Sequence, residues 1–184
     1  MKPTQELSQE HQAILLMIRI LEKIGQKLEA GERVDVSHLE KAVDFIKGFA
    51  DKCHHAKEED LLFPAMEKAG IPRTGGPLGV MLNEHVAGRG FVKGMTDAIA
   101  GLKKGDKAAG RLFAENAGKY GALLSQHIFK EDRILYPMAD ARLSAEEQAE
   151  LSAHFADVEE KVVGRGKHEE YHRLLKELEA AYLA

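Results

Sequence analysis

Apolar residues recur every three or four positions along nearly the whole 184-residue chain, and no stretch alternates as a strand would. Leu7, His11, Ile14, Ile18 and Leu21 form one stripe of an amphipathic helix, which "EAGERVDVS" closes. A second helix follows, with Val43, Ile46, Ala50, His54, Glu58 and Leu61 along one face. "AGIPRTGGPLG", dense in Gly and Pro, is the clearest break. The third helix carries Leu78, Leu82, His85, Val92, Ile99 and Leu102, and "KKGDK" ends it. The fourth runs from Lys107 to Tyr136, with Tyr120, Leu124, His127, Glu131 and Ile134 inward. Four such helices joined by short loops predict an all-α protein, an antiparallel up-down four-helix bundle over residues 1–140.

Residues 141–184 predict an additional C-terminal helical hairpin packed on the bundle or on a partner. Ser144 and Glu147 fit a capping box, and Leu151, Phe155, Val158 and Val162 make a fifth stripe. "GRG" breaks it before Tyr171, Leu175, Leu178 and Tyr182 make a sixth.

Polar residues interrupt these stripes at matched places. "HHAKEEDLLFP" at residues 54–64 lies over "HIFKEDRILYP" at 127–137, an offset of 73. Upstream, "LSQEH" ends at His11 and "MLNEH" at His85, an offset of 74. The chain thus reads as two copies of a helix pair, each giving "EH" on its first helix and "HxxxE" on its second. Residues four apart on a helix share a face, with Cβ atoms about 5–6 Å apart, so such a His and Glu can reach one metal or bridge two. Burying charge is expensive unless it is paired or bound to a metal. His11, His54, His85 and His127 with Glu58 and Glu131 therefore form a candidate ligand set, suited to a pair of iron, zinc or manganese ions.

Composition narrows the setting. The net charge is −4 with nine histidines uncounted, which advertises neither nucleic acid nor an anionic membrane as partner. The longest apolar run, Ala13 to Ile18, is too short to span a bilayer, and the opening residues lack a secretory signal's apolar segment. Cys53 stands alone, so a reducing, cytoplasmic setting is expected.

In order on four helices, "EH", "HHAKEEDLLFP", "EH" and "HIFKEDRILYP" resemble the hemerythrin family, specifically its HHE cation-binding branch. The resemblance implies two non-haem iron ions with an oxo or hydroxo bridge, held by His11, His54, Glu58, His85, His127 and Glu131. Asp132, five residues after the last histidine as in the oxygen carriers, is the alternative to Glu131. The carriers place a second histidine one turn after the first on the third helix, where this chain has Arg89. That departure implies an open position on both irons. It favours a centre that reacts with or senses O2, peroxide or nitric oxide, in stress response or iron–sulfur cluster repair, over reversible oxygen carriage. An oxygen- or iron-binding and storage protein, and a helical interaction module stapled by metal, are the competing readings.

The remaining candidates are weaker. "HEEYH" at residues 168–172 matches a zinc-protease pattern, but only twelve residues follow it and no cleft is evident. An exposed face with Tyr171 and Leu175 buried is the expectation there. The repeat has Ile128 where His55 falls, so His55 is expected behind the ligands or at the surface. Glu10 and Glu84, each preceding a ligand histidine, are candidates to orient imidazoles from neighbouring helices. Arg89 is a candidate partner for such a carboxylate.

Overall fold

A computed structural model describes residues 1–164 and 166–184, apart from the side chains of Val162 and Val163. The described residues form six helices and no strand. They are α1 (Pro3–Glu29), α2 (residues 36–68), α3 (Pro77–Lys103), α4 (residues 109–142), α5 (residues 145–164) and α6 (Lys167–Tyr182). The place expected for Val162 in the fifth stripe lies outside the described side chains.

Helix boundaries follow local chemistry. Pro3 and Pro77 open α1 and α3, where a missing N–H costs nothing. The Asp35 carboxylate accepts from the Ser37 amide at the start of α2. Ser144 and Glu147 close a reciprocal capping box on α5, as their spacing predicts. Gly105 turns the chain out of α3 at φ 82°, a conformation that side chains disfavour.

Two apolar layers sandwich a polar one. The first gathers Ile14, Met17 and Leu21 of α1, Phe45 and Phe49 of α2, Val92 and Met95 of α3, and Phe113 and Leu124 of α4. The second holds Leu7, Leu62, Phe63, Met66, Leu78, Met81 and Leu135. Between them on each helix fall His11, His54, His85 and His127, all buried. Both layers are completed by the C-terminal helices. Tyr171, Leu175 and Leu178 of α6 join the first, and Leu151 and Phe155 of α5 join the second. Gly48 admits this contact, because a Cβ there would lie 1.7 Å from the Tyr171 hydroxyl oxygen.

One expectation is corrected in both repeats. The stripes place Leu61 and Ile134 inward, but Leu62 and Leu135 are the buried residues and Ile134 is 52% exposed. The cause is a π-helical turn at Glu58–Leu62 and another at Glu131–Leu135. Pro64 and Pro137 follow within two residues. A proline removes an N–H and its ring clashes with the carbonyl four residues back, and the wider turn relieves both. The extra residue advances the inward face by one position. The helix then resumes, so α4 runs on to Arg142 and does not stop at Tyr136.

Candidate metal centre

The polar layer collects the six residues singled out by the repeat. His11 Nε2 lies 3.1 Å from His54 Nε2, and His85 Nε2 lies 3.1 Å from His127 Nε2. Two carboxylates connect the pairs. Glu131 Oε2 is 3.2 Å from His11 Nε2, and Oε1 is 2.9 Å from His127 Nε2. Glu58 Oε2 lies 3.8 Å from His54 Nε2 and 3.4 Å from His85 Nε2. Tyr136 donates its hydroxyl to Glu58 Oε1 at 2.6 Å and sits 3.3 Å from His11 Nε2.

Behind the rings stand four more carboxylates. His54 Nδ1 donates to Glu10 at 2.8 Å, and His127 Nδ1 to Glu84 at 2.8 Å. His11 Nδ1 donates to Asp132 at 3.0 Å, and His85 Nδ1 to Glu59 at 2.7 Å. An ionised carboxylate only accepts, so each ring carries its proton on Nδ1 and turns Nε2 inward. The pattern obeys the duplication, since Glu10 matches Glu84 and Glu59 matches Asp132. Asp132 thus lies behind His11, while Glu131 lies between the two histidine pairs. Arg89 reaches Asp51 at 2.7 Å and Glu59 at 2.8 Å, as a partner of the outer carboxylates.

The donor set fits a pair of cations. Ligands at about 2.1 Å and right angles around one ion lie about 3.0 Å apart, close to both imidazole separations. Glu58 Oε2 and both Glu131 oxygens are buried without an assured hydrogen-bond donor, a costly state unless a cation or proton faces them. Protons fill part of that role in the metal-free chain. Burial works against charge on His11, yet hydrogen bonds to Asp132 and Glu131 outweigh it and lift its pKa to about 9. His85 is lifted to about 9 likewise, with Glu58 and Glu59 outweighing burial. Burial leaves His54 well below its usual range. Glu131 is held well below the carboxylate range, its own burial outweighed by His127 and His11.

Two residues belong to this neighbourhood that the repeat did not pick out. His55 is buried, its ring stacked on His85 with centroids 3.9 Å apart, so the surface expectation does not hold. Its ring nitrogen lies within 4.8 Å of donor atoms of Glu58, His85 and His127. Lys57 is wholly buried, its ammonium 2.6 Å from Glu10, 2.8 Å from Glu6 and 2.7 Å from Glu159 of α5. Only the match of Lys57 to Lys130 hinted at it. Elsewhere, burial raises the Cys53 thiol to about 12, so it is inert. In "HEEYH", His168 and His172 stack on each other and edge against Phe49, while Tyr171 is buried.

Two openings flank the centre. A shallow groove of about 600 Å³ is lined by Thr4, Ser8, Asp132 and Tyr136 at the His11 end. A cavity of about 240 Å³ between α2 and α3 ends on His55 and Tyr120, whose buried hydroxyl has no partner among the described residues.

Uncharacterized proteins of Mycobacterium bovis and Mycobacterium tuberculosis are 23% identical over 160 residues, which is 87% of this chain and 62% of theirs. The chain thus spans less than two thirds of those relatives' length. No solved structure matches it significantly. Residues 2–139 match the hemerythrin HHE cation-binding domain, the stretch that carries every histidine and carboxylate of the polar layer, and the chain belongs to that family.

Proposed function

We infer that this protein holds two cations side by side, one between His11 and His54 and one between His85 and His127, with Glu58 and Glu131 bridging them. The observation that carries the reading is the pair of 3.1 Å imidazole separations joined by two buried carboxylates. Imidazole with carboxylate suits iron, and membership of a cation-binding family supports it. Iron held there, with an oxo or hydroxo bridge, supplies one-electron chemistry toward O2, peroxide or nitric oxide.

The chain's own residues set the conditions. Glu10, Glu84, Asp132 and Glu59 hold the four rings in orientation. The apolar layers above and below keep bulk water from the carboxylates. Tyr136 donates its hydroxyl to Glu58 and places the hydroxyl oxygen beside His11, under the groove at that end. In the same reading, α1 to α4 form an antiparallel up-down bundle over residues 1–140, with residues 141–184 as an appended hairpin. The protein is cytoplasmic and senses or detoxifies small oxygen or nitrogen species, in stress response or iron–sulfur cluster repair. No helix among the described residues is long and apolar enough to cross a membrane, which is compatible with that setting.

Metal analysis of protein purified without added metal tests the reading. About two iron per chain, near-ultraviolet bands of an oxo bridge and oxidation of the reduced form by O2 within minutes are expected. One zinc per chain, or a metal content indifferent to Glu58→Ala and Glu131→Ala, would refute it.

A further inference from the structure

The cavity of about 240 Å³ between α2 and α3 is lined by none of the six candidate cation ligands. Its walls include Ile46 of α2 and Val92 of α3, both buried. Gly88 keeps the space beside Tyr120 open, since a Cβ there would already stand 3.8 Å from Tyr120 Cε2. An apolar cavity of about 150 Å³ is enough to admit benzene. This one has room for a single aromatic ring with a polar substituent at each end.

The two ends of the cavity differ in chemistry. At the inner end the Tyr120 hydroxyl is buried and has no hydrogen-bond partner among the described residues. A buried hydroxyl in that state costs free energy until an acceptor faces it. His55 closes the same end, its Nδ1 turned to Asp51 at 3.3 Å and its ring stacked on His85. At the mouth stand the exposed side chains of Lys47, Arg89 and Lys93. Asp51 and Glu59 match Arg89, and Asp97 matches Lys93. Lys47 makes no ion pair among the described residues. Asp51 is the one carboxylate in a lining that carries these three cations, so the mouth favours an anion.

We propose that this cavity binds a small aromatic acid, a single ring with a carboxylate at one end and an oxygen acceptor opposite. The ring fills the space between Ile46 and Val92, the carboxylate meets Lys47 at the mouth, and the opposite oxygen accepts from Tyr120. The occupant then lies against His55, one ring away from the polar layer, and binds without ligating a cation.

Isothermal titration of the full chain with para-hydroxybenzoate tests the proposal. Saturable binding of one equivalent is expected, with a Kd of about 1 mM or tighter. Benzoate lacks the para oxygen and phenol lacks the carboxylate, so each should bind about five- to tenfold more weakly. Tyr120→Phe should remove the preference for para-hydroxybenzoate over benzoate, and Lys47→Met the preference over phenol. Lys47 is exposed, so its variant and the probe series decide the matter should Tyr120→Phe fold poorly. Absence of saturable binding up to about 10 mM overturns the proposal, the Tyr120 hydroxyl then being left to water. Binding that both substitutions leave unchanged also overturns it, because the acid is then held elsewhere, as on the cations of the polar layer.

Discussion

Lys57 and Lys130 occupy the same place in the two repeats, yet removing them should have unequal consequences. The Lys57 ammonium is fully buried among Glu6, Glu10 and Glu159, with the Phe155 ring 5.5 Å away. Lys130 pairs with Glu84 at a site about a third exposed. Lys57→Met leaves the Glu10 carboxylate buried without its cation. Breaking a buried pair by removing one partner costs about 3–5 kcal/mol. Glu6 and Glu159 are themselves about one-third exposed, so Glu10 alone is counted. At roughly 2–4 °C per kcal/mol for a chain of this size, the midpoint should fall by about 6–20 °C. Lys130→Met disrupts a partly solvated pair, worth below about 1 kcal/mol. The assay is urea unfolding of chelator-treated protein, so that metal does not mask the difference. The Lys57→Met deficit should also shrink as pH falls, because burial raises the Glu10 carboxyl above its ordinary range and it can take up a proton once the opposing ammonium is gone. Equal losses in the two variants, or a Lys57→Met loss below about 1 kcal/mol, would refute the reasoning.

Two other expectations follow from the same coordinates. His11 and His85 have folded-state pKa values of about 9 against an ordinary 6.5, so both hold protons in the metal-free chain at neutral pH. A raised value stabilises the fold fully below 6.5 and is lost as pH climbs through about 9. Metal-free protein should therefore lose stability across that window, and cation affinity should rise across it as fewer protons need displacing, measurable by chelator competition. A flat profile would show that these rings are neutral throughout. Gly48→Ala should expel Tyr171 and cost about 1–3 kcal/mol in urea unfolding, with faster proteolysis of α6. Gly90→Ala, in open space within α3, should stabilise by up to about 1 kcal/mol. Similar effects at the two glycines would contradict the packing described.

How much was legible differs from residue to residue. The apolar period, the repeat at offsets 73 and 74, and the six inward polar residues were all readable, because local rotation per residue and sequence identity are linear information. The repeat favoured Glu131, the counterpart of Glu58, but left Asp132 open, since both fall near the inward face. Packing resolves their positions: Glu131 lies between the histidine pairs, and Asp132 turns to His11 of a neighbouring helix. Leu61 and Ile134 misled because a π-turn inserts a residue that a fixed helical period does not count.

By itself the sequence determined an all-helical chain with matched histidines and carboxylates, because a 3.6-residue rhythm and a duplication survive whatever the helices later touch. Only the tertiary structure decided where the halves differ. His55 is buried against the His85 ring where its counterpart Ile128 joins the apolar layer, and the α5 segment covers Lys57 while leaving Lys130 about a third exposed. Such inequalities depend on which helix lies across a given side chain. That is set by packing between residues far apart in the chain, for which a single-helix pattern carries no term.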